Sequence, residues 1–227
     1  MILNIETSSE ICSVALENAG EIIFNQESDT PMQHSVLLAP YVEEAVKTLE
    51  RRGESLDAVA VSIGPGSYTG LRIGLSLAKG LCFSRNLPLI GISTLQILAV
   101  KAMFRNVVWD CDELIVPVMD ARRDEVYTAV YDFALTPHME PSPLILDKQS
   151  YKEWKERKLI FIGDAVEKVK RITGIENAEY IMAHPIALDM TALSEKALRE
   201  KNFIDIAYST PDYLKEFQAT TPKSKIR

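Results

Sequence analysis

The chain has 227 residues, 47% of them hydrophobic, with 25 basic and 32 acidic side chains and a formal net charge of -7. That length suits two small domains, and the apolar share suits a packed core. The charge argues against a protein that grips RNA by itself, because such proteins carry a basic surface that neutralises phosphates; only the tail, with Lys215, Lys223, Lys225 and Arg227, is locally basic and reads as a solvated terminus.

Ile2-Leu3-Asn4-Ile5 opens the chain as a short strand, without the basic stretch of a signal peptide ahead of it. Strands Ile11–Leu16 and Ile22–Phe24 follow at turn-sized gaps, which makes a meander. Between His34 and Arg52 the apolar residues Leu37, Leu38, Tyr41, Val42, Ala45, Val46 and Leu49 recur at three and four, the spacing of an amphipathic helix. Pro40 predicts a bent first turn or a late start, and Gly53 ends the helix. Ala58–Ile63 is a buried strand, a glycine-rich turn and a helix to about Ser84 follow, then strand Leu89–Ile92 and helix Thr94–Met103. The pattern then restarts: strand Leu114–Asp120, polar turn, strand Val126–Tyr131, a third strand at Leu144–Leu146, strand Leu159–Asp164, a helix to Thr173, and a helix from Thr191 to Lys201 capped by Asp189 or Thr191. Asp120 echoes Glu6 at the end of its strand. A unit that occurs twice predicts an α/β protein of two lobes with duplicated mixed sheets, 1–104 and 105–227, joined near 105–113. No apolar stretch nears the roughly 20 residues of a membrane span, so no membrane contact and a cytoplasmic location are expected.

The turn Ile63-Gly64-Pro65-Gly66-Ser67-Tyr68-Thr69-Gly70-Leu71-Arg72-Ile73-Gly74 reads either as an anion cradle or as a tight strand-to-helix turn capped by Ser67 or Thr69. The tight turn is favoured, because neither the Walker spacing nor the dinucleotide fingerprint is present. In the helix that follows, Gly70, Gly74 and Ala78 share a stripe, and Leu71, Leu75, Leu77, Leu81 and Cys82 fill much of the rest. A helix apolar nearly all round has two covered sides. One suits its own sheet, and the other suits either a central position in this chain or a second chain.

His34, His138 and His184 stand apart, without ligand spacing or an HExxH motif. Cys12, Cys82 and Cys111 are odd in number and distant, which predicts neither a disulfide framework nor a zinc knuckle. No serine occupies a GxSxG elbow. Glu6 and Asp120 suit structural hydrogen bonding better than nucleotide binding, since no glycine-rich phosphate loop follows either.

The segments MILNIETSSEICSVAL at Met1–Leu16 and IGPGSYTGLRIG at Ile63–Gly74 resemble the bacterial TsaB family, also called YeaZ. MDARRDEVY at Met119–Tyr127 is similar to the family's second signature, and PDYLKE near Pro211 to its C-terminal block, with Lys215 in place of Arg. The resemblance implies an actin-like ATPase fold of the ribonuclease H-like kind. It also implies a non-catalytic subunit of the complex that places threonylcarbamoyl on adenosine 37 of tRNA. In such a complex a TsaD-like subunit holds metal and performs the transfer, and a TsaE-like subunit hydrolyses ATP. This chain is then expected to bind no cofactor itself, to meet tRNA indirectly, and to form a homodimer when alone. Two departures, Glu6 where Asp is usual and a single glycine in Gly163-Asp164-Ala165, speak further against nucleotide binding. The alternatives are a stand-alone actin-fold ATPase and a glycoprotease-like metallopeptidase. The expected partner surface comprises His34, Leu37, Leu38, Tyr41 and Val42 of the first helix, with Gly70, Arg72, Gly74, Leu75, Ala78, Leu81 and Cys82 of the second. One of Gly74 and Leu75 is expected to face the sheet and the other the partner.

Overall fold

The computed structural model describes residues 1–28, 30–105 and 112–215. The first half contains β1 (Ile2–Glu6), β2 (Ser13–Asn18), β3 (Glu21–Glu27), α1 (His34–Arg52), β4 (Ala58–Gly64), α2 (Tyr68–Arg85), β5 (Leu89–Ser93) and α3 (Thr94–Arg105). The second contains β6 (Leu114–Asp120), β7 (Glu125–Tyr131), β8 (Pro137–Ile145), β9 (Leu159–Gly163), α4 (Val166–Thr173), β10 (Ala178–Met182) and α5 (Thr191–Glu200), with single 3₁₀ turns at Lys152–Trp154 and Ala187–Met190.

The two sheets run β3-β2-β1-β4-β5 and β8-β7-β6-β9-β10. Each is an antiparallel meander whose first strand also pairs in parallel with the strand after the crossover. The same path traced twice is the two-lobed actin-like α/β arrangement. The second copy has only the 3₁₀ turn Lys152–Trp154 where the first has α1. Helix α1 runs unbroken from His34 with Pro40 inside it, so the late start anticipated from Pro40 does not occur. Strand β8 begins seven residues before the expected Leu144, and it carries Pro137, Pro141 and Pro143. It is an edge strand, where missing N–H donors cost nothing on the open side. Met190, not Asp189 or Thr191, precedes α5, while the Asp189 carboxylate accepts from the Ile186 N–H at 3.3 Å and caps the preceding turn.

Strand β1 is buried on both faces. Leu3 and Ile5 pack with Leu38, Val42, Leu75 and Ala78 of α1 and α2. Ile2 lies on the other face with Ala15, Ala58, Ile90, Met190 and Ala197. The strands of one sheet all precede residue 104 and those of the other all follow 113, but helix packing crosses that division. Leu95, Leu98, Ala99 and Ala102 of α3 pack on Ile115, Met119, Ile160 and Ile162 of the second sheet. The turn at 187–190 and α5 return to cover the first.

Beyond α5 a strap, residues 203–215, lies along the first lobe. The Ile204 N–H donates to the Leu89 carbonyl at 2.8 Å, and the Asp212 N–H to the Ile63 carbonyl at 2.6 Å. The Lys79 ammonium donates to the Ser209 carbonyl at 2.7 Å. Lys215 pairs with Glu125 and ties the strap to the second lobe.

Candidate functional site

Ser67 caps α2, its hydroxyl accepting from the Gly70 N–H at 3.2 Å. The helix then runs directly across the β1–β2 turn. A Cβ at Gly70 would overlap the Thr7 carbonyl oxygen, and one at Gly74 would overlap the Thr7 hydroxyl. The small-residue stripe is therefore a seat for the chain's own first turn. The turn is closed: Thr7, Ser8 and Ser9 are buried. Three of its amides are occupied within the chain, Ser8 N–H by the Glu6 carboxylate, Thr7 N–H by the Ser62 hydroxyl at 3.4 Å, and Ile11 N–H by the Ser9 hydroxyl at 3.2 Å. The Ser8 carbonyl accepts from Ser67 N–H at 2.6 Å.

Glu6 sits beneath this turn, wholly buried. Burial pushes its pKa up to about 7 against the opposing hydrogen bonds from Ser8 and Ser62. Among the described residues its second oxygen has no hydrogen-bond partner. His34 starts α1 beside the same turn, and burial lowers its pKa against the backbone groups of Ile11 and Ser9. His184 lies 3.3 Å from Glu10 across the lobes. Among the described residues no group of three or more His, Cys, Asp or Glu side chains could hold a metal ion, and no helix is long and apolar enough to cross a membrane.

Of the twelve residues expected at a partner surface, eight are core. His34, Leu38, Val42, Gly70, Gly74, Leu75, Ala78 and Cys82 are buried within this chain. Gly74 and Leu75, of which one is expected inside and the other outside, both face inward: Gly74 meets Thr7, and Leu75 joins the core of β1. The reason is that the turn and the sheet together cover a wider arc of α2 than a sheet alone. Burial places Cys82 in the same core, and its thiol pKa rises to about 11. Arg72 is exposed but engaged: its guanidinium lies 4.0 Å from the Tyr68 ring centroid, and its Nε donates to the Tyr213 hydroxyl at 2.9 Å. It clamps the strap.

Leu37, Tyr41 and Leu81 remain half-buried, with Ile73 and Leu77 beside them along the α1–α2 seam. Val36 and Phe83 are exposed at 64% and 82%. Gly80, in the middle of α2, has no heavy atom within 4 Å of where a Cβ would stand. Val36, Ile73, Leu77, Gly80 and Phe83 thus join this surface beyond the residues expected from the sequence. Their signal was available, since Ile73, Leu77 and Gly80 form a stripe about 90° round the helix from that of Gly70, Gly74 and Ala78.

The family model described as TsaD: tRNA N6-adenosine threonylcarbamoyltransferase matches residues 20–137. The tRNA threonylcarbamoyladenosine biosynthesis protein TsaB of Bacillus subtilis (strain 168) is 30% identical over 224 residues, covering 96% of this chain and 95% of that protein. The chain belongs to the TsaB family. TsaB of Escherichia coli (strain K12) is 30% identical over 222 residues, with 94% of each chain covered. The solved YeaZ from Pseudomonas aeruginosa superposes with a TM-score of 0.78 at 27% identity, over 94% of this chain and 99% of that one. In this TsaB-family chain the GPGSYTGLRIG signature thus serves the internal fit of α2 on the first turn, with Arg72 reaching out to the strap.

Proposed function

We propose that the chain is the non-catalytic subunit of a tRNA N6-threonylcarbamoyladenosine complex, and that it binds and activates a TsaD-like transferase through the outer seam of α1 and α2. The open glycine at 80 carries this reading. A mid-helix glycine is unfavourable by about 1 kcal/mol relative to alanine, and it lets a second helix approach closely. Half-buried Leu77 and Leu81 and exposed Val36 and Phe83 flank it with apolar area. The closed first turn favours nucleotide and metal on the partner subunits, because the Thr7, Ser8 and Ile11 amides are already engaged. The same seam serves a homodimer in the absence of the partner, where one substitution strikes both copies.

Gly80→Arg is the test. The site is open, so the variant folds with a wild-type circular dichroism spectrum. It elutes as a monomer in gel filtration, fails to bind the TsaD-like protein, and does not support threonylcarbamoylation of tRNA with the TsaD-like and TsaE-like subunits and ATP. Wild-type binding by a folded Gly80→Arg protein would place the interface elsewhere.

A further inference from the structure

The hairpin between β6 and β7 holds two arginines in a backbone conformation that side chains avoid. Arg122 has φ 69° and Arg123 φ 52°. Both values lie in the left-handed region, which glycine and asparagine occupy readily and other residues at a cost. Both side chains are exposed, so core packing does not require them. The turn is imposed from below. The Asp120 carboxylate accepts from the Arg122 N–H at 2.7 Å, and the Asp164 carboxylate accepts from the Asp120 N–H at 2.8 Å. The Glu125 N–H closes it onto the Arg122 carbonyl at 3.2 Å. Backbone strain held by its surroundings motivates a search for function.

The charges around the turn supply the direction. Each hairpin carboxylate is taken by a cation from another element. Asp120 pairs with Lys168, Asp124 with Arg171 at 3.5 Å, and Glu125 with Lys215. Asp164, behind Asp120, is half-buried, and its pKa is raised by that burial. Among the described residues neither Arg122 nor Arg123 has an ionic partner. A chain of net charge -7 thus presents, among the described residues, two guanidiniums without an ionic partner, on a turn whose own carboxylates pair with other cations. Guanidinium matches paired phosphate oxygens in its fork geometry, and a preset turn loses little freedom on binding.

We propose that Arg122 and Arg123 contact the phosphate backbone of the RNA on which the complex acts. The proposal rests on the reading of the chain as a tRNA-modification subunit. Such a contact positions the RNA and carries no sequence information. It also fits the acidic average of the chain: the grip is local and weak, and the larger share of affinity comes from another subunit.

The test measures binding of an unmodified tRNA transcript to the isolated chain by fluorescence anisotropy, across about 50 to 200 mM salt. The paired substitution Arg122→Asn with Arg123→Gly relieves the turn and removes both charges. It is expected to raise the melting temperature, weaken binding about ten-fold at the low-salt end, and flatten the slope of log K against log salt by about 1.4 to 1.8, two phosphate contacts' worth. Arg122→Lys with Arg123→Lys keeps the charges and is expected to keep the slope. An unchanged slope in the Asn–Gly variant overturns the proposal, as does a wild-type chain without salt-dependent RNA binding. If the Asn–Gly variant instead keeps its RNA affinity and loses the TsaD-like protein in gel filtration, the turn meets a protein surface and the phosphate assignment is wrong. A wild-type chain that fails to bind the TsaD-like protein defeats the subunit reading alone, because the RNA measurement uses the isolated chain.

Discussion

Replacing Glu6 by Gln should make the protein more stable above neutral pH and leave it unchanged in acid. Glu6 is buried, and its pKa rises from 4.5 to about 7, chiefly through burial. The folded state therefore holds its proton over a range in which the unfolded chain has released it. Stability is greatest below the unfolded value, falls as pH rises through the interval to the folded value, and is flat beyond. A difference of this size corresponds to about 3 kcal/mol at 1.36 kcal/mol per pH unit. In a chain of this length that is about 6 to 12 °C in melting temperature. Glutamine keeps an oxygen for the Ser8 N–H and removes the charge. Urea unfolding at pH about 4 and about 8 reads the effect: near-equal stabilities at the first, and a gain of about 3 kcal/mol for Glu6→Gln at the second. If Glu6→Gln is weaker than wild type at both, the ionised carboxylate holds the turn and burial is not the dominant influence on it. The slope that remains in the variant belongs partly to Glu17, also buried, whose pKa is raised by burial and by Glu195.

Gly70→Ala and Gly80→Ala should have opposite signs. The first drives a methyl into the Thr7 backbone and costs about 3 kcal/mol, and the second enters open space and gains about 1 kcal/mol; thermal melts separate them. Tyr213→Ala removes the far side of the Arg72 clamp, so limited proteolysis should cut between 203 and 215 faster while the rest of the fold persists. Lys101→Met leaves Asp189 largely buried without its 2.8 Å partner. Unfolding at neutral pH should show a loss of about 3 kcal/mol, partly restored when Asp189→Asn is added.

The alternation and spacing of apolar residues made most elements legible, because each buries one defined face. Leu114–Asp120 coincides with β6, and the helix expected at 34–52 coincides with α1. Strand β10 escaped notice, since Ala178, Glu179 and Tyr180 are only half-buried at a sheet edge and show no alternation. The candidate surface was half legible. Periodicity identified α2 as covered on more than one side, but it cannot tell a sheet from a turn from a neighbouring chain. Only the approach of Thr7 to Gly70 and Gly74 decides that, and it depends on residues more than sixty positions apart. Arg72, expected at the partner surface, is exposed, and its engagement with Tyr213 is equally non-local. The crossing of α3 to the second sheet left no mark on the sequence, because Leu95 and Leu98 would suit either sheet.

The crossing of the helices has a consequence for synthesis on the ribosome. The sheet completed first, with β5, has its back face roofed by the turn at 187–190 and by α5, near the far end of the chain. Ile97 of α3 is the first residue to reach Ile2, Ala58 and Ile90 on that face, and the rest of their cover waits for Ala187, Met190 and Ala197. Meanwhile α3 emerges before the sheet on which it will rest. A nascent chain halted after residue 105 carries a finished set of strands whose back face is met only by Ile97 of α3, while Leu95, Leu98, Ala99 and Ala102 of that helix have no second sheet to rest on. Each half thus completes its core with a helix drawn from the other, and the first sheet is fully covered only once α5 has returned to it.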